Sequence, residues 1–222
     1  MMSKSKTQTP TLRITEIFYS IQGEANTVGW PTVFVRLTGC PLRCSYCDTE
    51  YAFHGGKKIP LTEILKIVAN YNPKYITVTG GEPLAQPACH QLLTQLCDQG
   101  YQVSLETSGA IDISNVDKRV AVVMDLKTPT SNEIGKNNYT NLNFLKNSDQ
   151  IKFVIGNRDD YDWVKHCLDE YELLKKCQTI LFSPNHEKLA PQILADWILA
   201  DKLPVRLQLQ MHKYIWGDVP GK

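Results

Sequence analysis

Short apolar runs alternate along the chain with segments that repeat apolar residues at helical spacing. The runs predict seven strands: Thr32–Leu37, Tyr75–Thr79, Gln102–Glu106, Val120–Asp125, Gln150–Ile155, Ile180–Ser183 and Val205–Gln210. The intervening segments predict helices at residues 61–68, 86–99, 159–176 and 191–199. Strands that alternate with helices pair in parallel through right-handed crossovers. The pattern predicts a single α/β domain over residues 1–222, and leaves open a doubly wound sheet or a partly closed barrel. We expect residues 1–13 to be flexible and residues 217–222 to form a tail.

Polar motifs follow four consecutive predicted strands, each at the carboxyl end of its strand. A cysteine-containing loop follows Thr32–Leu37, and Thr-Gly-Gly-Glu-Pro occupies residues 79–83. Glu-Thr-Ser-Gly at residues 106–109 and Asp-Leu-Lys-Thr at residues 125–128 come next. In parallel α/β folds and barrels the carboxyl ends of the strands carry the active site. We therefore expect the four motifs to line one site.

The loop after the first predicted strand carries Cys40, Cys44 and Cys47, in a CxxxCxxC spacing. Three thiolates on one short loop can hold three irons of a cubane iron–sulfur cluster and leave one iron for a small molecule. Two alternatives remain on spacing alone. A structural zinc needs four ligands, and the nearest candidate for the fourth is His54. A redox dithiol of Cys44 and Cys47 leaves Cys40 without a role.

Composition narrows the classes of function. The chain has 222 residues, of which 42% are hydrophobic and 21% charged, and its formal net charge is +1. It is therefore expected to be globular and to lack the strong basic field of a nucleic-acid binder. The polar N-terminus does not resemble a secretory signal, and no apolar run is long enough to span a bilayer. Four of the seven cysteines lack metal spacing and are expected in the core, and a reduced, cytoplasmic setting suits them.

Two polar segments have side chains or backbone suited to ligand binding, each with a structural alternative. Gly80 and Gly81 expose bare backbone, and Glu82 adds an acceptor that can hold an amino group. These residues can equally form a turn with Glu82 in the first turn of a helix. Gln22 and Glu24 together can bind the edge of a heterocycle that carries both donors and acceptors. Alternatively, they lie in a solvated loop.

Charged and hydroxyl side chains elsewhere suggest further ligand contacts. Arg36 lies in an otherwise apolar strand, so it needs an anion: a substrate carboxylate, or a structural pair with Glu24 or Asp48. The hydroxyl of Thr49 is a candidate ligand for Mg²⁺, although Asp48 or Thr49 can simply cap a turn. Lys127 is a candidate partner of a phosphate or carboxylate, or a surface lysine.

Together these motifs resemble those of the radical S-adenosylmethionine (SAM) enzymes. The resemblance rests on CxxxCxxC with an aromatic residue, Tyr46, before the third cysteine, and on Gly-Gly-Glu-Pro downstream. More specifically, the motifs at residues 20–24, 36–40, 47–49, 79–83, 106–109 and 210–213 resemble those of the 7-carboxy-7-deazaguanine synthase family of the queuosine pathway. The resemblance runs from about Glu16 to about Trp216.

The resemblance implies a modified partial (β/α) barrel, a 4Fe–4S cluster, SAM and Mg²⁺. It implies that a reduced cluster cleaves SAM to a 5′-deoxyadenosyl radical. This radical starts the ring contraction of 6-carboxy-5,6,7,8-tetrahydropterin to 7-carboxy-7-deazaguanine, with loss of ammonia. It also implies a homodimer with a small-molecule substrate and an external electron donor such as flavodoxin, and no membrane or nucleic-acid partner.

The resemblance also assigns residues, with the radical chemistry carried by the cluster and SAM and no catalytic side chain. It implies Cys40, Cys44 and Cys47 as cluster ligands and Thr49 as the Mg²⁺ ligand. It implies SAM contacts at Tyr46, Cys47, Asp48, Gly81, Glu82, Asp125, Leu126 and Lys127. It implies substrate contacts at Ile21, Gln22, Gly23, Glu24, Arg36 and Thr79. Asp125-Leu126-Lys127 departs from the Ser-Pro-Lys of many relatives, and the tail departs from relatives that place a C-terminal carboxylate on substrate.

Two other functions fit parts of the pattern. A small radical SAM activase, which installs a glycyl radical on a partner enzyme, has the same cysteine spacing. The set of Gln22, Glu24 and Arg36 argues against an activase, because a protein substrate does not need a site that reads a heterocycle. A non-catalytic zinc module is the third hypothesis.

Overall fold

A computed structural model describes residues 9–186, 188–217 and 219–222, and in that part of the chain nine strands form one sheet. The strands are β1 (Thr11–Ile21), β2 (Pro31–Leu37), β3 (Lys57–Pro60), β4 (Tyr75–Gly80), β5 (Gln102–Thr107), β6 (Ala121–Asp125), β7 (Gln150–Ile155), β8 (Thr179–Pro184) and β9 (Arg206–Leu207). The helices are α1 (Leu61–Asn70), α2 (Cys89–Asp98), α3 (Arg158–Glu170), α4 (Leu173–Lys176), α5 (Pro191–Asp201) and α6 (Met211–Trp216).

The strand order decides between the two predicted architectures. It runs β3-β1-β2-β4-β5-β6-β7-β8-β9, and every neighbouring pair from β2 to β9 is parallel. A doubly wound sheet reverses its strand order at a switch point, and this order advances in one direction from β2 onward. Right-handed crossovers then place successive helices on the same face, as in a barrel. The α/β partial barrel is thus confirmed.

The sheet has an apolar outer face and a cavity-facing inner face, and the alternation of residues along each strand separates them. On β7, Ile151, Phe153 and Ile155 are fully buried in the core, while Lys152 and Val154 line the cavity. The outer face packs against the helices, and each fully buried aliphatic side chain contributes about 1.5–3 kcal/mol. Because one set of alternate residues on each strand is buried in the core, the other set points into the cavity.

The antiparallel edge was not predicted. Strand β1 pairs antiparallel with both β2 and β3. Residues 11–13, placed in a flexible segment by the sequence, instead begin β1, and residues 1–8 lie outside the described residues. The strand predicted at Val205–Gln210 is restricted to Arg206–Leu207, and the helix predicted at residues 159–176 divides at Glu172, which has a φ of +48°.

Two expectations from composition concern the four cysteines outside the CxxxCxxC loop and the apolarity of the helices. Cys89, Cys167 and Cys177 are buried in the core and Cys97 packs against it, as predicted. Within the described residues no helix combines the length and apolarity that crossing a membrane requires.

Candidate active site

A cavity of about 990 Å³ opens at the carboxyl ends of the parallel strands. Its wall takes residues from five neighbouring strands: Thr79, Glu106, Val123, Asp125, Lys152 and Ser183. The three cysteines of the loop after β2 line the same cavity. The predicted convergence of the four polar motifs on one site is therefore confirmed.

The thiols of Cys40, Cys44 and Cys47 are half-buried in the cavity wall. Burial raises the pKa of all three thiols, that of Cys44 to about 11, and the nearby Lys127 ammonium acts in the opposite direction. Thiolates are the ligating form, so a bound metal has to displace these protons. Among the described residues no three His, Cys, Asp or Glu side chains converge as a single metal ion requires. The three thiols line one cavity, as the three protein ligands of a cluster require.

Contacts with distant segments hold the cysteine loop in place. The backbone N–H of Ser45 donates to the carbonyl of Ser131 at 3.0 Å, and its hydroxyl donates to the carbonyl of Thr130 at 2.6 Å. The Arg43 guanidinium lies 4.2 Å from the centre of the Phe53 ring and donates to the Cys40 carbonyl at 2.9 Å. The loop is thus supported from the segment after β6 as well as from its own turn.

The two glycines at the carboxyl end of β4, Gly80 and Gly81, are required by the close packing of β2 and the cysteine loop. A Cβ atom on Gly81 would lie 2.4 Å from the Gly39 carbonyl oxygen and 2.7 Å from Cys40 Cβ. A Cβ atom on Gly80, which has a φ of +150°, would lie 2.2 Å from the Leu37 carbonyl oxygen. Both glycines line the cavity. The bare backbone therefore lets the cysteine loop pack onto β4, besides exposing amides to a ligand.

Glu82 lies behind the cavity wall, where it is fully buried. Its carboxylate accepts hydrogen bonds from the Leu84 amide, the Thr107 hydroxyl, and both the amide and hydroxyl of Ser108, at 2.6–3.0 Å. These contacts join the Gly-Gly-Glu-Pro and Glu-Thr-Ser-Gly motifs. The geometry gives Glu82 a structural role, and a direct contact with SAM stays a prediction.

The segment after β6 divides between core and cavity. Leu126 is fully buried in the core, whereas Asp125 and Lys127 line the cavity and form an ion pair at 3.0 Å. Burial alone would lower the pKa of Lys127, but Asp125, Tyr46 and Cys44 raise it above its ordinary value. The Oδ1 atom of Asp125 is buried and has no hydrogen-bond partner in the part of the chain that the structure describes. Such an atom fits a site that supplies a donor when a ligand binds.

Gln22, Glu24 and Thr79 belong to one buried polar network with Glu106. Gln22 Nε2 donates to Thr77 Oγ1 at 3.0 Å and to Glu106 Oε1 at 3.4 Å. The Thr79 hydroxyl donates to Glu106 Oε2 at 2.9 Å. Gln22, Glu24, Thr79 and Glu106 all line the cavity. The alternative of a solvated loop for Gln22 and Glu24 is therefore wrong.

Arg36 lines the cavity, but its ion-pair partner differs from both predicted candidates. Its Nε atom lies 2.7 Å from Glu16 Oε1 on the neighbouring strand β1, in place of a pair with Glu24 or Asp48. The guanidinium also lies over the rings of Phe18 and Tyr51, at 5.7 and 5.8 Å from their centres. The sequence missed Glu16 because β1 was not recognised as a strand.

Asp48 and Thr49 lie at the cavity mouth with the C-terminal segment. The Thr49 hydroxyl donates to Asp48 Oδ1 at 2.9 Å, and Gln210 Nε2 donates to Asp48 Oδ2 at 3.1 Å. Burial would raise the pKa of Asp48, but Lys213, Thr49 and Gln210 lower it to about 2. The carboxylate is therefore ionised at neutral pH, as an oxygen-rich cation site needs.

The remaining predicted contacts, Ile21, Gly23 and Tyr46, also line the cavity. A Cβ atom on Gly23 would lie 2.2 Å from His212 Nδ1, so this glycine lets α6 pack against the loop. The tail contributes Gly217, Val219, Pro220, Gly221 and Lys222 to the wall.

Sequence reasoning missed cavity residues on three strands. The sequence predicts Glu106 only as part of a motif, and it assigns no role to Lys152 or to the segment Ser183–His186, all of which line the cavity. Lys152 carried the same signal as Arg36, a cation within an apolar strand. Ser183–His186 lies at the carboxyl end of β8, where the topology alone predicts ligand contacts.

Residues 34–188 match the family described as the Radical SAM superfamily. The match includes the cysteine loop and the strands from most of β2 to β8. The chain therefore belongs to the radical SAM superfamily.

Relatives define the particular family. A 7-carboxy-7-deazaguanine synthase of Chlorobaculum tepidum is 44% identical over 93% of this chain and 94% of its own length. One of Koribacter versatilis is 42% identical over 92% of this chain and 97% of its own length. Within the superfamily, the chain is a member of the 7-carboxy-7-deazaguanine synthase family. These relatives favour this family over the glycyl-radical activase and the zinc module.

A solved structure supports the fold. The crystal structure of QueE from Escherichia coli superposes with a TM-score of 0.71, at 21% identity, and covers 91% of this chain and 95% of that one. At this identity the likeness concerns the fold alone. It agrees with the partial barrel described above.

Proposed function

We propose that this chain contracts the ring of 6-carboxy-5,6,7,8-tetrahydropterin to 7-carboxy-7-deazaguanine, with loss of ammonia, in queuosine biosynthesis. One observation carries the proposal: a single cavity of about 990 Å³ holds the three-cysteine loop together with a wall of amide, carboxylate and hydroxyl groups. Ligand pockets commonly measure about 300–1,000 Å³, so this cavity has room for a cofactor and a substrate side by side.

The cofactor half of the cavity is the part that Cys40, Cys44, Cys47, Asp125 and Lys127 line. Bound there, a 4Fe–4S cluster and SAM supply the radical that starts the reaction. The three cysteine thiolates would hold the cluster, and Asp125 Oδ1, which has no hydrogen-bond partner among the described residues, would accept a hydrogen bond from the cofactor. The bare backbone at Gly81 would lie against the ligand, and Tyr46 and Asp48 complete this wall.

The substrate half is the part lined by Ile21, Gln22, Gly23, Glu24, Thr79 and Glu106. A pterin presents N–H donors and a carbonyl acceptor along one edge, and the amide and carboxylate side chains of this wall can bind both kinds of group. Arg36 offers a cation for the substrate carboxylate. Thr49, beside the ionised Asp48, would hold Mg²⁺, which would orient the substrate carboxylate.

The setting and partners of the enzyme are part of the proposal. We expect a homodimer in the cytoplasm that takes electrons from an external donor such as flavodoxin. The substrate is a small molecule, and neither a membrane nor a nucleic acid is needed.

Anaerobic reconstitution with iron and sulfide tests the proposal directly. The reconstituted protein should convert the carboxytetrahydropterin to 7-carboxy-7-deazaguanine, detected by mass spectrometry. Omission of SAM or of the reductant should abolish product, and omission of Mg²⁺ should lower it. A protein that assembles its cluster and cleaves SAM, yet leaves the pterin unchanged under every condition, would contradict the proposal.

A further inference from the structure

Lys152 is a buried cation in the middle of β7. Its side chain is 13% exposed, and its neighbours Ile151 and Phe153 are fully buried on the opposite face. Removing an ammonium group from water is costly unless an anion compensates it. Apolar residues at this position would serve the fold as well, so the lysine points to a role in the cavity that it lines.

The partner of Lys152 comes from a distant part of the chain. Its Nζ atom contacts Glu24 Oε2, across 128 positions of sequence. Gln208 Nε2 also donates to Glu24 Oε2, at 3.2 Å, and the Glu24 amide donates to Gln22 Oε1 at 3.2 Å. The Glu24 side chain is 13% exposed, like that of its partner. The Glu24 carboxylate is thus held from β7 by Lys152 and from the residue after β9 by Gln208.

A second carboxylate makes the lysine necessary. Glu106 lines the same cavity, and Gln22 contacts both glutamates. Burial alone would raise the pKa of Glu24, but Lys152 holds it below its ordinary value, whereas burial and the Glu24 charge raise the pKa of Glu106. Two carboxylates in one cavity repel each other and compete for a proton. Lys152, which contacts Glu24 directly, stabilises the charged form of Glu24 in this competition.

We propose that Lys152 is a positioning residue for substrate binding, which keeps Glu24 ionised and oriented so that Glu24 accepts hydrogen bonds from N–H groups of the substrate heterocycle. This inference rests on the proposed function, because it assigns the Glu24 wall to the pterin. Lys152 contacts Glu24, whereas Asp125, its neighbour on β6 in the cofactor half, forms its ion pair with Lys127. Loss of the lysine therefore weakens binding of the pterin selectively.

The test compares Lys152→Met with wild type in the reconstituted enzyme, with the exposed Lys66→Met on α1 as the matched control. Lys152→Met should raise KM for the pterin at least tenfold, since Glu24 loses the cation that keeps it ionised and oriented, while KM for SAM stays unchanged. Lys152→Arg should restore most of the affinity, because it keeps the charge. Lys66→Met should behave as wild type.

A double variant shows whether Lys152 acts through Glu24. In a Glu24→Gln background, Lys152→Met should change KM for the pterin less than twofold, because the carboxylate that it positions is absent. This double variant removes both members of the ion pair and leaves no ionised Glu24 without its cation, so it keeps the test available where Lys152→Met alone fails to fold. An undiminished rise in KM in that background, or an unchanged KM in folded Lys152→Met, would overturn the inference.

Equilibrium binding of 6-carboxypterin, a stable oxidised analogue, separates this inference from the proposed function. If wild type turns over the pterin and binds the analogue, and the Lys152 variants bind the analogue equally well, the role of Lys152 is refuted and the proposed function stands. Wild type that neither turns over nor binds it refutes the proposed function and the inference together. Binding by wild type that weakens at least tenfold in Lys152→Met, and not in Lys66→Met, supports the inference even where turnover is absent.

Discussion

The two halves of the cavity are built in different ways. The cofactor half depends on close backbone packing between neighbouring segments, since Gly81 lies against Gly39 and Cys40 with no room for a Cβ atom. The substrate half depends on charged and polar side chains from distant parts of the chain, above all Glu24, Glu106 and Lys152. A substitution that adds side-chain volume should therefore disrupt the cofactor half. A substitution that removes a charged side chain should disrupt ligand binding in the substrate half and leave the backbone intact.

Loss of a cluster ligand should have the largest effect on the cofactor half. Cys44→Ala leaves two thiols, so we expect cluster assembly to be abolished and iron content after anaerobic reconstitution to fall to background. Cys97→Ala is the matched control, because Cys97 lies outside the cavity wall and packs against the core. Iron retained by Cys44→Ala at the level of the control would contradict its assignment as a ligand.

Added volume at Gly81 should come next. In Gly81→Ala the new Cβ would lie 2.4 Å from the Gly39 carbonyl oxygen, so the cysteine loop must move. We expect a loss of about 2–4 kcal/mol in the free energy of unfolding and reduced iron content. Gly135→Ala, where a Cβ atom would meet nothing within 4 Å, should change neither quantity. Denaturant unfolding and iron analysis check this, and equal behaviour of the two variants would show that the loop is not packed as described.

Glu82→Gln tests whether the glutamate of the Gly-Gly-Glu-Pro motif supports the wall or contacts SAM. The amide keeps one acceptor oxygen but places an N–H₂ group against donors from Thr107 and Ser108. We expect a loss of about 1–3 kcal/mol in stability with little change in SAM affinity of the folded protein. The exposed Glu63→Gln on α1 is the control. Unchanged stability with weakened SAM binding would instead favour the direct contact predicted from the sequence.

Thr49→Ala should have the smallest effect, at the boundary between the two halves. The variant removes the hydroxyl that Asp48 accepts from, so we expect a severalfold higher Mg²⁺ concentration at half-maximal activity and retained iron content. A Mg²⁺ titration of turnover measures this. A titration curve identical to that of wild type would discard Thr49 as the magnesium ligand.

The difference between the two halves also explains which residues and contacts of the site could be predicted from the sequence. The three cysteines and Gly80–Gly81 are neighbours in sequence within their motifs, and their chemistry can be recognised from spacing. Arg36 was correctly expected to need an anion, but its partner Glu16 lies on β1, whose pairing with β2 was not foreseen. Lys152 was missed although a cation in an apolar strand carries the same signal.

The sequence by itself determined the parallel α/β class, the cysteine loop and the placement of the polar motifs at one edge, because these follow from periodicity and local spacing. Only the tertiary structure decided that Glu82 and Leu126 lie behind the cavity wall and that Glu24 meets Lys152 across 128 positions. The physical reason is that local spacing fixes which residues can share a loop or a face. The pairing of buried charges depends on which strands become neighbours, and on the cost of leaving any such charge alone.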